Sequence, residues 1–209
     1  MNTPHKSTKV IGPKVRAAIL GHGRGWVFTP GEFLSMGDPR SVSMALTRLA
    51  RKGLIRQLTR GLYDYPKNDP EIGVLSPSID AVARALSFRH SIRLQPTGGY
   101  AANLLGLSDQ VPMKIVFLTD GPNRRIQLGN LQIILKRTSP RNMAAAGRIS
   151  GLVIQALRHI GQRNMDDRVI LKLRQTLSAK DKKRLLLDLR HAPAWVAGAM
   201  RRIAEKKSP

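Results

Sequence analysis

Apolar residues at Val42, Ala45, Leu46 and Leu49 recur with the i, i+3, i+4, i+7 spacing of one helix face. Asp38-Pro39 ahead of them supply an N-cap and a first-turn proline, and Gly53 behind them supplies a stop. Upstream, Val15, Ala18 and Ile19 predict an earlier helix that starts at Pro13 and is broken by Gly21, Gly23 and Gly25. Thr29-Pro30 predict the start of a short second helix that buries Phe33 and Leu34, with Met36-Gly37 as the following turn. Downstream, Leu54–Leu58 and Gly61–Tyr65 alternate as two strands around a turn at Thr59-Arg60.

A stretch rich in turn formers follows, with Pro66, Asn68, Asp69, Pro70, Gly73, Ser76, Pro77 and Ser78. It divides the chain into a first domain over 8–66, a linker over 67–77 and a second domain over 78–205. The second domain opens with a helical stripe, Ile79, Val82, Ala83 and Leu86. Strands are predicted at Ser91–Pro96, Val111–Thr119, Arg125–Leu128 and Leu131–Arg137, with a short helix at Tyr100–Leu107. From Asn142 onward the pattern is helical. Met143 to Ile160 keep the 3–4 spacing over about five turns, and Val169, Leu173 and Leu177 mark the next helix. Ser178 and Asp181 resemble a capping box, and Pro193–Glu205 forms the last helix. The fold class is therefore α+β: an N-terminal winged helix-turn-helix, by element order, then a mixed α/β domain that ends in a helical, bundle-like region.

The third helix of the first domain is the candidate recognition helix. Arg40, Ser41, Ser43, Met44, Thr47, Arg48 and Arg51 lie off its apolar stripe, and these are side-chain types that read base edges and phosphates in a major groove. Asp38 caps its N-terminus. Arg56 and Arg60 fall on the hairpin, where a wing would meet the DNA backbone or minor groove. Charge strengthens this reading. Among 209 residues, Lys and Arg total 36 and Asp and Glu total 13, a formal net charge of +23. Eleven basic and three acidic residues precede the linker, and 25 and 10 follow Pro66, so both domains could face a polyanion. A bare basic helix face is also what any solvated amphipathic helix presents. The turn, the hairpin and the charge together favour DNA.

The chain has no cysteine, which excludes disulfides, thiolate metal sites and a cysteine nucleophile, and fits a cytoplasmic protein. No apolar run is long enough to span a bilayer, and basic residues are not segregated opposite one exposed apolar face, so no membrane role is expected. Met1–Pro13 lacks an apolar core, and no secretory signal is expected there. His5, His22, His90, His159 and His191 form no metal spacing, and Gly21-His22-Gly23-Arg24-Gly25 lacks the Lys-Ser/Thr of a phosphate-binding loop. Asp166-Asp167 point apart on a helix and complement its N-terminus rather than a metal. Asp80, Asp109 and Asp120 could converge on magnesium only by tertiary accident. No enzyme activity, metal or cofactor is expected.

Several strings resemble the AbiEi antitoxin family of the bacterial AbiE, or type IV, toxin–antitoxin systems. They are Glu32-Phe33-Leu34, Ala45-Leu46-Thr47-Arg48-Leu49, Lys52-Gly53, Ile55-Arg56 and Arg60-Gly61-Leu62-Tyr63-Asp64-Tyr65-Pro66-Lys67 in the first domain. Pro96-Thr97-Gly98, Ala101-Ala102-Asn103-Leu104-Leu105-Gly106-Leu107-Ser108, Gln110-Val111-Pro112 and Leu118-Thr119-Asp120-Gly121 extend the likeness into the second, so that it covers about Thr29 to Leu157. The resemblance implies two activities. One is transcriptional autorepression, with the winged helix on repeats of double-stranded promoter DNA. The other is antitoxin action, in phage defence, against a nucleotidyltransferase-like toxin that need not be bound directly. The alternative is an RNA-binding protein working through the basic C-terminal domain. With aromatics at 4% of the chain, such a protein would read shape and phosphate more than stacked bases.

Overall fold

The computed structural model describes residues 8–205. Its first helix, α1 (Thr8–His22), begins before the proline expected to open it and carries Pro13 inside. Ile11 explains the early start. It is buried with Val15 and Ile19 in one hydrophobic cluster, so the turn ahead of Pro13 is drawn onto the core. Strand β1 (Val27–Phe28) follows, an element the apolar pattern is too short to announce. The expected second helix is a single 3-10 turn, Pro30–Phe33. Phe33 is buried there, but Leu34 faces solvent. Helix α2 (Pro39–Arg51) then runs as predicted.

α2 ends in a Schellman motif. Gly53 takes φ +70°, its N–H donates to Ala50 O at 3.0 Å, and the Leu54 N–H donates to Leu49 O at 3.1 Å. Strands β2 (Arg56–Thr59) and β3 (Leu62–Asp64) form the hairpin. Its turn sits one residue later than expected, at Arg60-Gly61, because Gly61 supplies the positive φ of +73°. β3 is central, with β1 and β2 antiparallel on its two sides, pairing Val27 with Asp64 and Gln57 with Tyr63. Phe28, Phe33, Leu46 and Tyr63 pack with the α1 residues beneath this sheet.

The expected linker over 67–77 is structured. β4 (Asn68–Asp69) and β5 (Gly73–Val74) pair antiparallel, and the Asp69 carboxylate accepts the N–H groups of Glu71 and Ile72 at 2.9 and 3.1 Å. Helix α3 (Ile79–His90), capped by the Ser78 hydroxyl, packs against β1. The chain accordingly divides into two compact units between Ile92 and Arg93, later than the sequence suggested. The apolar face of α3, with Ala81, Val82, Ala85 and Leu86 buried, carries it into the first unit.

The second unit opens with β6 (Leu94–Thr97) and α4 (Gly98–Leu104). β7 (Lys114–Thr119), β8 (Arg124–Leu128) and β9 (Leu131–Arg137) complete a four-stranded sheet in the order β6-β7-β9-β8. β7 and β9 are parallel, and the other pairs are antiparallel. The helical run expected from Asn142 is interrupted. A 3-10 turn at Pro140–Met143 and Gly147, at φ +76°, precede α5 (Ile149–Ile160). α6 (Asp167–Thr176), α7 (Ala179–Leu187) and α8 (Ala194–Ala204) follow, with Asp166 capping α6 and Ser178–Asp181 forming the capping box of α7. Leu157, Leu173, Leu185, Val196 and Met200 form one core among α4–α8. The fold is α+β.

Asp188 joins the helices of this core. It accepts from Arg148 at 2.6 Å and Arg184 at 3.0 Å, with His191 at 3.9 Å, and is itself buried. Burial pushes its carboxyl up. A hydrogen bond from Ser150 and the charges of Arg148 and Arg184 outweigh that, and hold it below the usual carboxylate range. No helix of the described residues is long and apolar enough to cross a membrane.

Candidate nucleic-acid interface

α2 owes its position to its ends and its buried stripe. Asp38 caps it by accepting the Ser41 N–H at 2.9 Å. Hydrogen bonds from the Ser41 hydroxyl and backbone hold the Asp38 carboxyl below its ordinary value. Val42, Ala45, Leu46 and Leu49 are buried, which turns the opposite face outward. Arg40, Ser43, Met44, Thr47, Arg48 and Arg51 are all exposed and span an arc of roughly 140° at 3.6 residues per turn. Two of the expected α2 contacts change character. Ser41 lies on the buried side, where it serves the cap. The Thr47 hydroxyl donates to Ser43 O at 2.9 Å, although the residue stays exposed.

The hairpin also departs from expectation. Arg56 is engaged within the unit: Nε donates to Asp64 Oδ1 at 3.1 Å, and Nη2 donates to Asp64 Oδ2 at 2.6 Å and to Leu75 O at 3.0 Å. Asp64 is buried on β3, so its charge requires this partner. Arg56 therefore fastens the hairpin, with two of its three guanidinium nitrogens engaged within the unit. Arg60 is exposed at the hairpin turn. Arg24 lies with its guanidinium carbon 4.8 Å from the Tyr65 ring centroid and donates to Pro66 O at 2.9 Å, a second arginine spent on structure.

α1 adds what the sequence reading missed. A groove of about 580 Å³ runs between α1 and α2, lined by Arg16 from α1 and by Met44, Arg48, Arg51 and Lys52. Gly12, Pro13, Ala45 and Leu49 make much of its floor apolar. Arg16 and Lys52 extend the positive surface of α2 sideways. Nothing local marks Arg16, because its neighbours Val15 and Ile19 are simply a buried stripe, and its approach to Arg48 is tertiary. Among the described residues, Arg16, Arg40, Arg48, Arg51 and Arg60 form no ion pair, whereas Arg93, Arg148, Arg174, Arg184 and Arg202 in the second unit do. Uncompensated guanidinium groups, three of which (Arg16, Arg48 and Arg51) line one groove, suit a polyanion.

Residues 14–185 match a family described as a family of unknown function, DUF6088. The chain belongs to this family. No curated protein matches it. The DUF6088 match includes Arg16, the whole of α2 and the hairpin. Among the described residues, no three His, Asp or Glu side chains gather where a metal could be held. Asp120, one of the acids considered for magnesium, accepts the Arg93 N–H and Nε, both at 2.8 Å, and those bonds lower its pKa.

Proposed function

We propose that this protein is a cytoplasmic, sequence-specific DNA-binding antitoxin that represses its own promoter. Helix α2 enters the major groove, and the β2–β3 hairpin is the wing of a winged helix-turn-helix. The observation that carries this reading is the exposed face of α2, where Arg40, Arg48 and Arg51 form no ion pair among the described residues and stand beside Ser43, Met44 and Thr47. Element order supports it: α1, β1, a helical turn, α2, then a hairpin pairing back onto β1. Arg60 at the hairpin tip and Arg16 beside α2 would grip the flanking phosphates. Opposition to a nucleotidyltransferase-like toxin rests on the likeness of the sequence strings to AbiEi antitoxins. The net positive charge beyond Pro66 leaves room for a target or product made of RNA.

The test is a titration on the DNA upstream of the gene beside scrambled DNA of equal length, at two salt concentrations. A specific complex keeps its preference at the higher salt. Arg48→Ala and Arg51→Ala should each weaken it by about 1–3 kcal/mol if they make bidentate base contacts. Equal affinities that collapse together with salt would reduce the interaction to counterion release. That outcome would replace the repressor with the RNA-binding reading of the second unit.

A further inference from the structure

The second unit holds a basic site of its own, inferred independently of the DNA reading. Register places Gln95, Thr97, Val116, Leu118, Ile134 and Lys136 on one face of the β6-β7-β9 sheet, because paired residues share a face. α5 packs on this face at the β6 side, where the Thr97 hydroxyl donates to Gln155 Oε1 at 2.9 Å. β7 and β9 are covered less completely, and Val116, Leu118 and Ile134 remain half-buried. A cavity of about 320 Å³ occupies the step between α5 and the strands.

Its wall is rich in donors and contains no carboxylate. Lys136 from β9 and Arg158 and His159 from α5 converge on it, with Thr138, Asn142 and Gln155 between them. Among the described residues, none of the three basic side chains makes an ion pair or hydrogen bond. The neutral groups are oriented by each other. Asn142 Nδ2 donates to Thr138 Oγ1 at 2.8 Å, which leaves the Thr138 hydroxyl hydrogen free to donate outward. Gln155 accepts from Thr97, which leaves its amide nitrogen as a donor. Such a wall repels cations and leaves a neutral ligand facing unpaired positive charge. An anion with several acceptor oxygens satisfies all of these groups. The volume lies at the low end for small-ligand sites, the size of a mononucleotide rather than a bare ion.

We propose that this cavity binds the phosphomonoester of a nucleotide, with Lys136 and Arg158 on the phosphoryl oxygens and Thr138 and Gln155 completing their coordination. The phosphate could belong to a free nucleotide or to the 5′ end of a strand. The full-length protein would be titrated calorimetrically, at physiological salt, with adenosine monophosphate, adenosine, and a short single-stranded oligonucleotide with and without a 5′-phosphate. Adenosine monophosphate should bind and adenosine should be at least about tenfold weaker, the loss expected when charge-assisted hydrogen bonds are removed. Lys136→Gln and Arg158→Gln should each weaken the monophosphate about tenfold or more. Arg201→Gln removes the same charge from an exposed position of α8 outside the cavity and should change affinity by less than about twofold. A phosphate-dependent gain for the oligonucleotide over the monophosphate would support the strand end as the ligand, and no gain would support the free nucleotide. Equal binding of adenosine and its monophosphate would overturn the proposal. So would an Arg201→Gln loss as large as that of Arg158→Gln, since overall charge would then account for the binding.

Discussion

Replacing Arg56 with alanine should destabilise the first unit by about 2–3 kcal/mol, whatever it does to DNA binding. The Asp64 side chain is only 2% exposed and Arg56 is 36% exposed. Removing one partner of a fully buried pair costs about 3–5 kcal/mol, because the remaining charge is stranded. An exposed pair is worth about 0–1 kcal/mol. Here the stranded group is the buried one, which places the cost near the upper case. Water entering where the guanidinium stood recovers part of it. The truncation also removes the hydrogen bond to Leu75 O, which ties the segment after β5 to the hairpin. Urea unfolding would be followed by Trp26 fluorescence in a Trp195→Phe background, since these are the two tryptophans of the chain. The matching fall in Tm is roughly 10–20 °C for a unit of this size. Arg56→Met combined with Asp64→Leu should return most of the lost stability, because no charge is then left buried. An Arg56→Ala protein as stable as the wild type but impaired on operator DNA would refute this reasoning and restore Arg56 as a wing contact.

Asp188→Asn should destabilise the second unit by about 2 kcal/mol, read by urea unfolding with Trp195 as the reporter in a Trp26→Phe background. Because the folded pKa of Asp188 is lowered, its contribution is full above the ordinary carboxylate range and is lost as pH falls through that range toward the folded value. The wild type should therefore lose more stability between neutral pH and pH ~3 than the variant does, and parallel acid limbs would contradict the assignment. Gly151→Ala should cost about 3 kcal/mol or more, since a Cβ there would collide with the backbone oxygen of Ala145 and with Gln95 Oε1. A thermal melt matching wild type would show that α5 can shift. Gly53→Ala should cost about 1 kcal/mol, because an L side chain is strained at φ +70° although the space is open. Gly53→Asn, which tolerates that conformation better, should lose less in the same melt.

The period of a buried stripe, a cap and a stop are local properties, and they were legible without a fold. Asp38-Pro39, the Val42–Leu49 stripe and Gly53 defined α2 nearly to the residue, and Ser178–Asp181 and Asp166 marked the starts of α7 and α6. The outward face of α2 followed from the same periodicity, which is why most of its exposed side chains could be named in advance. Short elements were not legible. β1 is two residues long and exists because β3 offers it a partner. The 67–77 segment reads as turn formers whether or not its ends pair. The structural partners of Ser41 and Arg56 were not legible either, because a polar residue's neighbours depend on what approaches it, here a cap carboxylate and a buried Asp64. Arg16 beside Arg48, and Lys136 facing Arg158 and His159, are separated in sequence and united only by packing. Helices with their own caps and apolar faces, and the net charge of +23, are local or additive properties that can be read without a fold. Which cations pair with buried acids and which, among the described residues, form no ion pair follows from packing, because desolvation and pairing are properties of the assembled surroundings.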